Sequence, residues 1–149
     1  MVMIKVREME KEDIPEVFRI NKENFTTDAW SREGFEREFK LPYSVRFVAE
    51  VEGKLVGYCI LWLIEDCAHV MTFAIDRAYW GRGIGKEFLR EVLNRLKGRV
   101  KKVQLDVRKS NIRAIRLYQA LNFYIVGERR HYYSDGENAI QMEYSFDGP

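Results

Sequence analysis

Trp80-Gly81-Arg82-Gly83-Ile84-Gly85-Lys86 is the stretch on which the reading of this chain turns. It stands between an apolar run, Val70–Ile75, and an amphipathic segment, Glu87–Leu96, an order that reads as strand, glycine-rich turn, helix. A turn of this kind leaves backbone N–H groups unpaired at a helix N-terminus, where the helix dipole favours an anion. Glycines let a phosphate approach the main chain, and Arg82 and Lys86 add positive charge. The stretch is not a P-loop, because GxxxxGK(S/T) is absent. It is not a dinucleotide fingerprint either, since Gly81-x-Gly83-x-Gly85 breaks the GxGxxG spacing. The expected ligand is a phosphate-bearing cofactor, and the competing reading is a tight turn that holds nothing.

The flanks of the turn extend into one α/β pattern. Val2–Arg7 alternates as a first strand, and Asp13 with Pro15 opens a helix that runs to about Asn21. Ser31 opens a second helix carrying Phe35 and Phe39, which Pro42 ends. Arg46–Val51 and Leu55–Ile64 flank Glu52-Gly53-Lys54 as a hairpin, and His69–Ile75 is the next strand. Beyond the glycines, Phe88, Leu89, Val92, Leu93 and Leu96 form a helical stripe that Gly98 stops. Val100–Val107 reads as a strand, and Ser110 caps a helix bearing Ala114, Ile115, Leu117, Tyr118 and Leu121. Tyr124–Tyr133 and Ala139–Tyr144 close the chain as two strands around Ser134-Asp135-Gly136-Glu137. With no linker, repeat or low-complexity tract, residues 1–149 form one α/β domain with a mixed sheet.

Bulk properties narrow the function classes. At 149 residues, with 46% hydrophobic and 13% aromatic content, the chain has enough apolar surface for a real core. A net charge of +2 gives no global basic excess of the kind nucleic acid attracts. No run approaches the roughly 18 apolar residues that span a membrane, and Met1–Lys5 lacks a signal-peptide core. Cys59 and Cys67 make neither a CxxC pair nor a disulfide framework, and His69 and His131 lie far apart, so no metal site is expected. The expectation is a cytoplasmic protein, monomeric or weakly dimeric, that engages neither nucleic acid nor membrane.

The motifs that follow the turn narrow the family. Leu105-Asp106-Val107-Arg108-x-x-Asn111, then Ala114, Leu117-Tyr118 and Leu121-Asn122-Phe123, stand in an order that resembles the GNAT superfamily of acetyl-CoA-dependent N-acetyltransferases. The similarity runs from about Ile4 to Tyr144. Within the superfamily the chain looks most like the RimI-type and archaeal protein Nα-acetyltransferases. Phe25 followed by Trp30-Ser31, His69-Val70, Asp106-Val107-Arg108-Lys109-Ser110-Asn111, and Tyr132-Tyr133 with Asp135-Gly136-Glu137-Asn138-Ala139 carry that narrower likeness. Three positions depart from the pattern. Trp80 stands where the family has Gln or Arg, Asp106 where Glu is common, and Asn122 where Gly is usual.

The resemblance implies a GNAT fold: a mixed, mostly antiparallel sheet with splayed strands and about four flanking helices. It implies acetyl-CoA as co-substrate, no metal, and direct transfer of acetyl to the α-amine of a polypeptide. The pantetheine arm is expected along Phe73, Ala74 and Ile75, and the pyrophosphate on the amides of Gly81, Arg82, Gly83, Ile84, Gly85 and Lys86. Asn111, Ala114 and Tyr118 are expected further along the cofactor, with Tyr118 protonating the departing sulfur. Asp106, His69 and Glu23 are the candidate bases, and Phe25, Trp30, Tyr132 and Tyr133 the candidate wall around the incoming peptide. Each has a structural alternative. Tyr118 and Trp30 suit core packing, Asn111 a helix cap, and Glu23 a solvated helix face. Two other functions stay open at this stage: a GNAT enzyme for lysine side chains or small amines, and a non-catalytic acyl-CoA-binding regulator.

Overall fold

The computed structural model describes residues 3–148, and its seven strands belong to one sheet. In chain order the elements are β1 (Lys5–Glu8), α1 (Ile14–Asn24), α2 (Arg32–Glu38), β2 (Ser44–Val51), β3 (Lys54–Ile64), β4 (Cys67–Ile75), α3 (Ile84–Leu96), β5 (Lys102–Arg108), α4 (Ile112–Ala120), β6 (Tyr124–Arg129) and β7 (Ala139–Ser145). Short 3-10 turns at Lys11–Asp13 and Arg77–Tyr79 precede α1 and follow β4. The strand order is β1-β2-β3-β4-β5-β7-β6, and every pairing is antiparallel except β4 with β5. The mixed, mostly antiparallel sheet with four helices therefore matches the expectation from sequence.

Both faces of the sheet are covered, which explains why β3 reads as a nearly continuous apolar run. Tyr58 and Ile60 join Ile14, Val17, Ile20 and Phe35 in the core beneath α1 and α2. Cys59 and Leu61 join Ile84, Phe88, Leu89, Val92 and Leu96 in the core beneath α3. The β2–β3 hairpin turns on Glu52 and Gly53, both at positive φ (51° and 80°), as a two-residue turn requires. Gly57 lets β3 and β4 close up, because a Cβ there would lie 2.6 Å from the Ile75 side chain.

Several boundaries differ from the sequence reading, each for a local reason. Val2 lies outside the described residues, and β1 begins at Lys5. Asp13 does not cap α1 with its side chain. Its carboxylate accepts from Arg7 Nη1 and Nη2 at 2.8 and 2.9 Å and from the Glu10 N–H at 2.8 Å. Ser31 does cap α2, accepting from the Gly34 N–H at 3.0 Å. The cap of α4 is Asn111, which accepts from the Ala114 N–H at 3.1 Å, while the Ser110 N–H is given to Glu137. Helix α3 starts inside the glycine turn, and β6 stops at Arg129 because His131 takes a positive φ of 51°. Asn122 adopts φ 72°, the left-handed backbone that asparagine tolerates in place of glycine.

One topological feature positions the site. Strands β4 and β5 pair only at Cys67–Lys102, Ala68–Val103 and His69–Gln104, and then diverge. A bulge at Met71, where the register steps from Leu61–Val70 to Ile60–Thr72, adds twist to β4 as the gap opens.

Candidate active site

The gap between β4 and β5 widens into a cleft of about 790 Å³, roofed by α4 and floored by the start of α3. Its backbone polarity follows from strand alternation. The Asp76 N–H donates to the Val56 carbonyl at 2.8 Å, so Ala74 and Thr72 turn their main-chain groups to β3. Phe73 and Ile75 consequently turn theirs into the gap. The Ile75 carbonyl accepts from Asn24 Nδ2 at 3.0 Å and from Trp80 Nε1 at 2.9 Å. Trp80 thus fastens the glycine turn to the end of β4, a task for an indole N–H that its place in the motif did not suggest. Its ring carries the Arg113 guanidinium 3.6 Å above the centroid.

The cofactor half fits a phosphate-bearing ligand. Gly83 is the N-cap of α3 at φ 76°, and Gly81 sits at φ 80°; nothing lies within 4 Å of a Cβ built on either. The free amides of the first turn of the 13-residue helix α3 therefore face an open cradle. Of the residues expected to touch the cofactor, Phe73, Ala74 and Ile75 line one wall. Gly81, Gly83, Ile84, Gly85 and Lys86 line the floor, and Asn111, Ala114 and Tyr118 the roof. Arg82 is not in the lining; its guanidinium folds 5.0 Å over the Tyr79 ring.

Tyr118 sits where the halves meet. Its ring packs on Phe73 and Phe123 at 6.4 and 5.7 Å between centroids, yet its hydroxyl has no hydrogen-bond partner among the described residues and is not sealed from the cleft. Burial raises the phenol's pKa above its ordinary value, so it remains protonated at neutral pH. The candidate bases separate by position. Asp106 lines the cleft and pairs with Arg129 Nε at 3.1 Å. His69 lies at the closed end of the splay, outside the lining, opposite Gln104. Glu23 accepts from the Arg77 N–H at 2.8 Å and from Arg19 Nη1 at 3.3 Å, and it too lies outside the lining.

Of the residues expected to wall in a peptide, Phe25, Trp30 and Tyr133 line the cleft, whereas Tyr132 points outward, 50% exposed, with its ring edge-on to Tyr133. Burial raises the Tyr133 pKa, with Asp106 and Asp28 adding to the shift. Trp30 is held by its main-chain N–H, which donates to Asn21 Oδ1 at 2.7 Å. The buried Asn21 amide in turn donates to Tyr58 Oη at 2.8 Å, which bonds Thr72 Oγ1 at 2.9 Å beside the bulge. Residues the sequence reading left without a role thus shape the site: Asn24, Trp80 and Asn21 through the bonds just given, and Arg108 in the lining beside Asp28 and Tyr133. Alternation in β5 was the available signal for Arg108, since it places Arg108 on the same strand face as Asp106.

Comparison with known proteins agrees with this geometry. The model of the "Acetyltransferase (GNAT) family" matches residues 14–123. A putative [ribosomal protein bS18]-alanine N-acetyltransferase of Bacillus subtilis is 35% identical over 140 residues, covering 92% of each chain. The N-alpha-acetyltransferase RimI of Mycobacterium tuberculosis is 38% identical over 120 residues, covering 77% of this chain and 75% of its own. The crystal structure of the ribosomal-protein-S18-alanine N-acetyltransferase from Escherichia coli superposes with a TM-score of 0.86 at 30% identity, covering 96% of this chain and 94% of that one. With a splayed sheet, a glycine cradle at a helix start and these relatives, the chain belongs to the GNAT acetyltransferase family.

Proposed function

We propose that this chain is an acetyl-CoA-dependent protein Nα-acetyltransferase that passes acetyl directly to the α-amine of a polypeptide. The observation that carries the reading is the form of the cleft. An anion cradle at one end and an aromatic wall of Phe25, Trp30 and Tyr133 at the other meet at the Tyr118 hydroxyl. Support for the acceptor comes from relatives named for N-alpha or ribosomal-protein alanine acetylation.

Acetyl-CoA supplies an acetyl thioester, and the chain's own groups do the rest. The first-turn amides of α3 and Lys86 hold the phosphates, and the gap-facing main chain of Phe73 holds the extended arm, because the Ile75 carbonyl already has two donors. The Ile75 N–H is the donor for charge that develops on the carbonyl oxygen. An α-amine has a pKa near ~8, so on the order of a tenth is already neutral at pH 7 and only a modest base is needed. Asp106 takes this role, because it lines the cleft and neither Glu23 nor His69 does. As the N–C bond forms and the C–S bond breaks, Asp106 accepts the amine proton and Tyr118 donates one to sulfur.

Asp106→Asn is expected to lower kcat/KM for a peptide roughly tenfold to a hundredfold at pH 7. The deficit should shrink toward pH 9, where solution deprotonates the amine unaided. A deficit that stays constant across that range would remove Asp106 from the base role.

The acceptor is tested with labelled acetyl-CoA on free-α-amine peptides beginning Ser, Ala, Thr and Met, their N-blocked lysine-bearing versions, and a polyamine. Label in the free-N-terminus peptides alone is the expected result. Label confined to lysine or polyamine overturns the acceptor while leaving the family intact.

A further inference from the structure

Arg108, the last residue of β5, spends its whole guanidinium on two loops distant in sequence. Nε and Nη2 grip Asp28 at 2.9 and 3.0 Å, and Nη2 also donates to Thr27 Oγ1 at 2.8 Å. Nη1 reaches Asp135 and Glu137, both at 2.8 Å. The guanidinium carbon lies 4.2 Å from the centroid of the Tyr133 ring. The first pair of contacts fixes the α1–α2 connection, which carries Phe25 and Trp30. The second fixes the β6–β7 connection, which carries Tyr133.

Three carboxylates therefore converge on one cation, and without it Asp28 would face Asp135 and Glu137 as like charges. The bidentate grip on Asp28 sets an orientation as well as a charge balance, since a planar fork matches a carboxylate and a point charge does not. Glu137 is held down to about pKa 2 by its bond to Ser110 and by Arg108, so its arm of the tie stays ionised at every working pH.

We infer that Arg108 is a positioning residue for the acceptor: it latches the two loops together and so sets the spacing between the Phe25–Trp30 wall and the Tyr133 wall. The inference rests on the Nα reading of the acceptor half. It concerns neither the glycine cradle nor Tyr118, so the cofactor half should be untouched when the latch is cut.

The test is Arg108→Gln in the full chain, read three ways. Peptide KM is expected to rise about tenfold or more while kcat stays within about threefold, because acceptor placement is lost before chemistry. Affinity for CoA, measured by calorimetry, stays within about twofold for the same reason. Amide hydrogen exchange speeds up in residues 25–31 and 130–138 together. Arg108→Lys restores part of the KM loss by charge alone, and the residual defect measures the fork. Should Arg108→Gln fail to fold, Asp28→Asn weakens one arm and the double change Asp135→Asn with Glu137→Gln cuts the other, with faster exchange expected in the loop so released.

A folded Arg108→Gln with peptide kcat/KM unchanged would overturn the latch, as would an equal loss of CoA affinity or faster exchange in one loop only. Absence of peptide acetylation by the wild-type chain would instead sink the Nα reading, and the exchange measurement would still decide whether Arg108 couples the loops.

Discussion

Tyr118→Phe is expected to lower kcat by about a hundredfold or more, the range for removing a general acid, with CoA affinity close to wild type. The fold should survive, because the hydroxyl gives up no hydrogen bond within the described residues and the ring keeps its packing on Phe73 and Phe123. The pH profile adds a second readout. A general acid works in its protonated form, and burial raises the Tyr118 pKa, so its contribution is full at neutral pH and is lost only as pH rises past the ordinary tyrosine range. The wild-type rate should therefore climb as the α-amine deprotonates around pH ~8 and show no descending limb below about pH 10. Steady-state kinetics from pH 6 to 10 with a Ser- or Ala-initiated peptide checks both points. A Phe variant with near-normal kcat, or a wild-type rate that falls already at pH 8, would take the acid role from Tyr118.

The other large effect is expected at Gly83. Gly83→Asp should raise the acetyl-CoA KM about a hundredfold, because it puts a like charge into the cradle where an anion sits; at about 6 Å and an effective dielectric near 20 such a pair costs about 3 kcal/mol. Stability should change far less. The left-handed backbone at φ 76° costs a non-glycine residue about 1–2 kcal/mol, and aspartate is among the few residues that visit it. Gly83→Ala separates the two causes: it carries the strain without the charge and should weaken acetyl-CoA by only a few-fold. Equal losses for Ala and Asp would mean that backbone shape, not anion binding, is what the turn supplies. Thermal melts beside CoA titrations of the two variants decide between these outcomes.

The glycine turn, the helical stripe of α3 and the β2–β3 hairpin were legible because their signals are local: left-handed glycines, apolar spacing and a Glu-Gly turn lie within a few residues. The cofactor wall came instead from the resemblance to GNAT enzymes, since no local signal marks it. The boundary errors arose where a side chain had a better offer at long range. Asp13 went to Arg7 instead of capping α1, and Ser110 gave its amide to Glu137, leaving Asn111 to cap α4. The catalytic candidates show the same limit. Asp106, His69 and Glu23 are all polar groups near strand or helix ends, and only the point at which β4 leaves β5 separates one that lines the cleft from two that do not. Arg108 was quoted as part of a motif, but its partners lie 27 to 81 residues away, and no periodicity reports contacts of that kind.

The early parting of β4 from β5 has a consequence for how such a chain can diverge. A partner that docks by completing a broken ladder reads carbonyls and amides, which every residue type carries alike. Point changes along that wall that preserve the strand alter the fit little, so the wall can drift in composition and still do its work. The glycines have no such freedom, since there the main chain itself must adopt a shape few residues allow. On the proposed reading, acceptor preference is written instead in side chains and loops, at Phe25, Trp30, Tyr133 and the ties that hold them. A scaffold divided in this way can exchange one recipient amine for another while its donor stays the same.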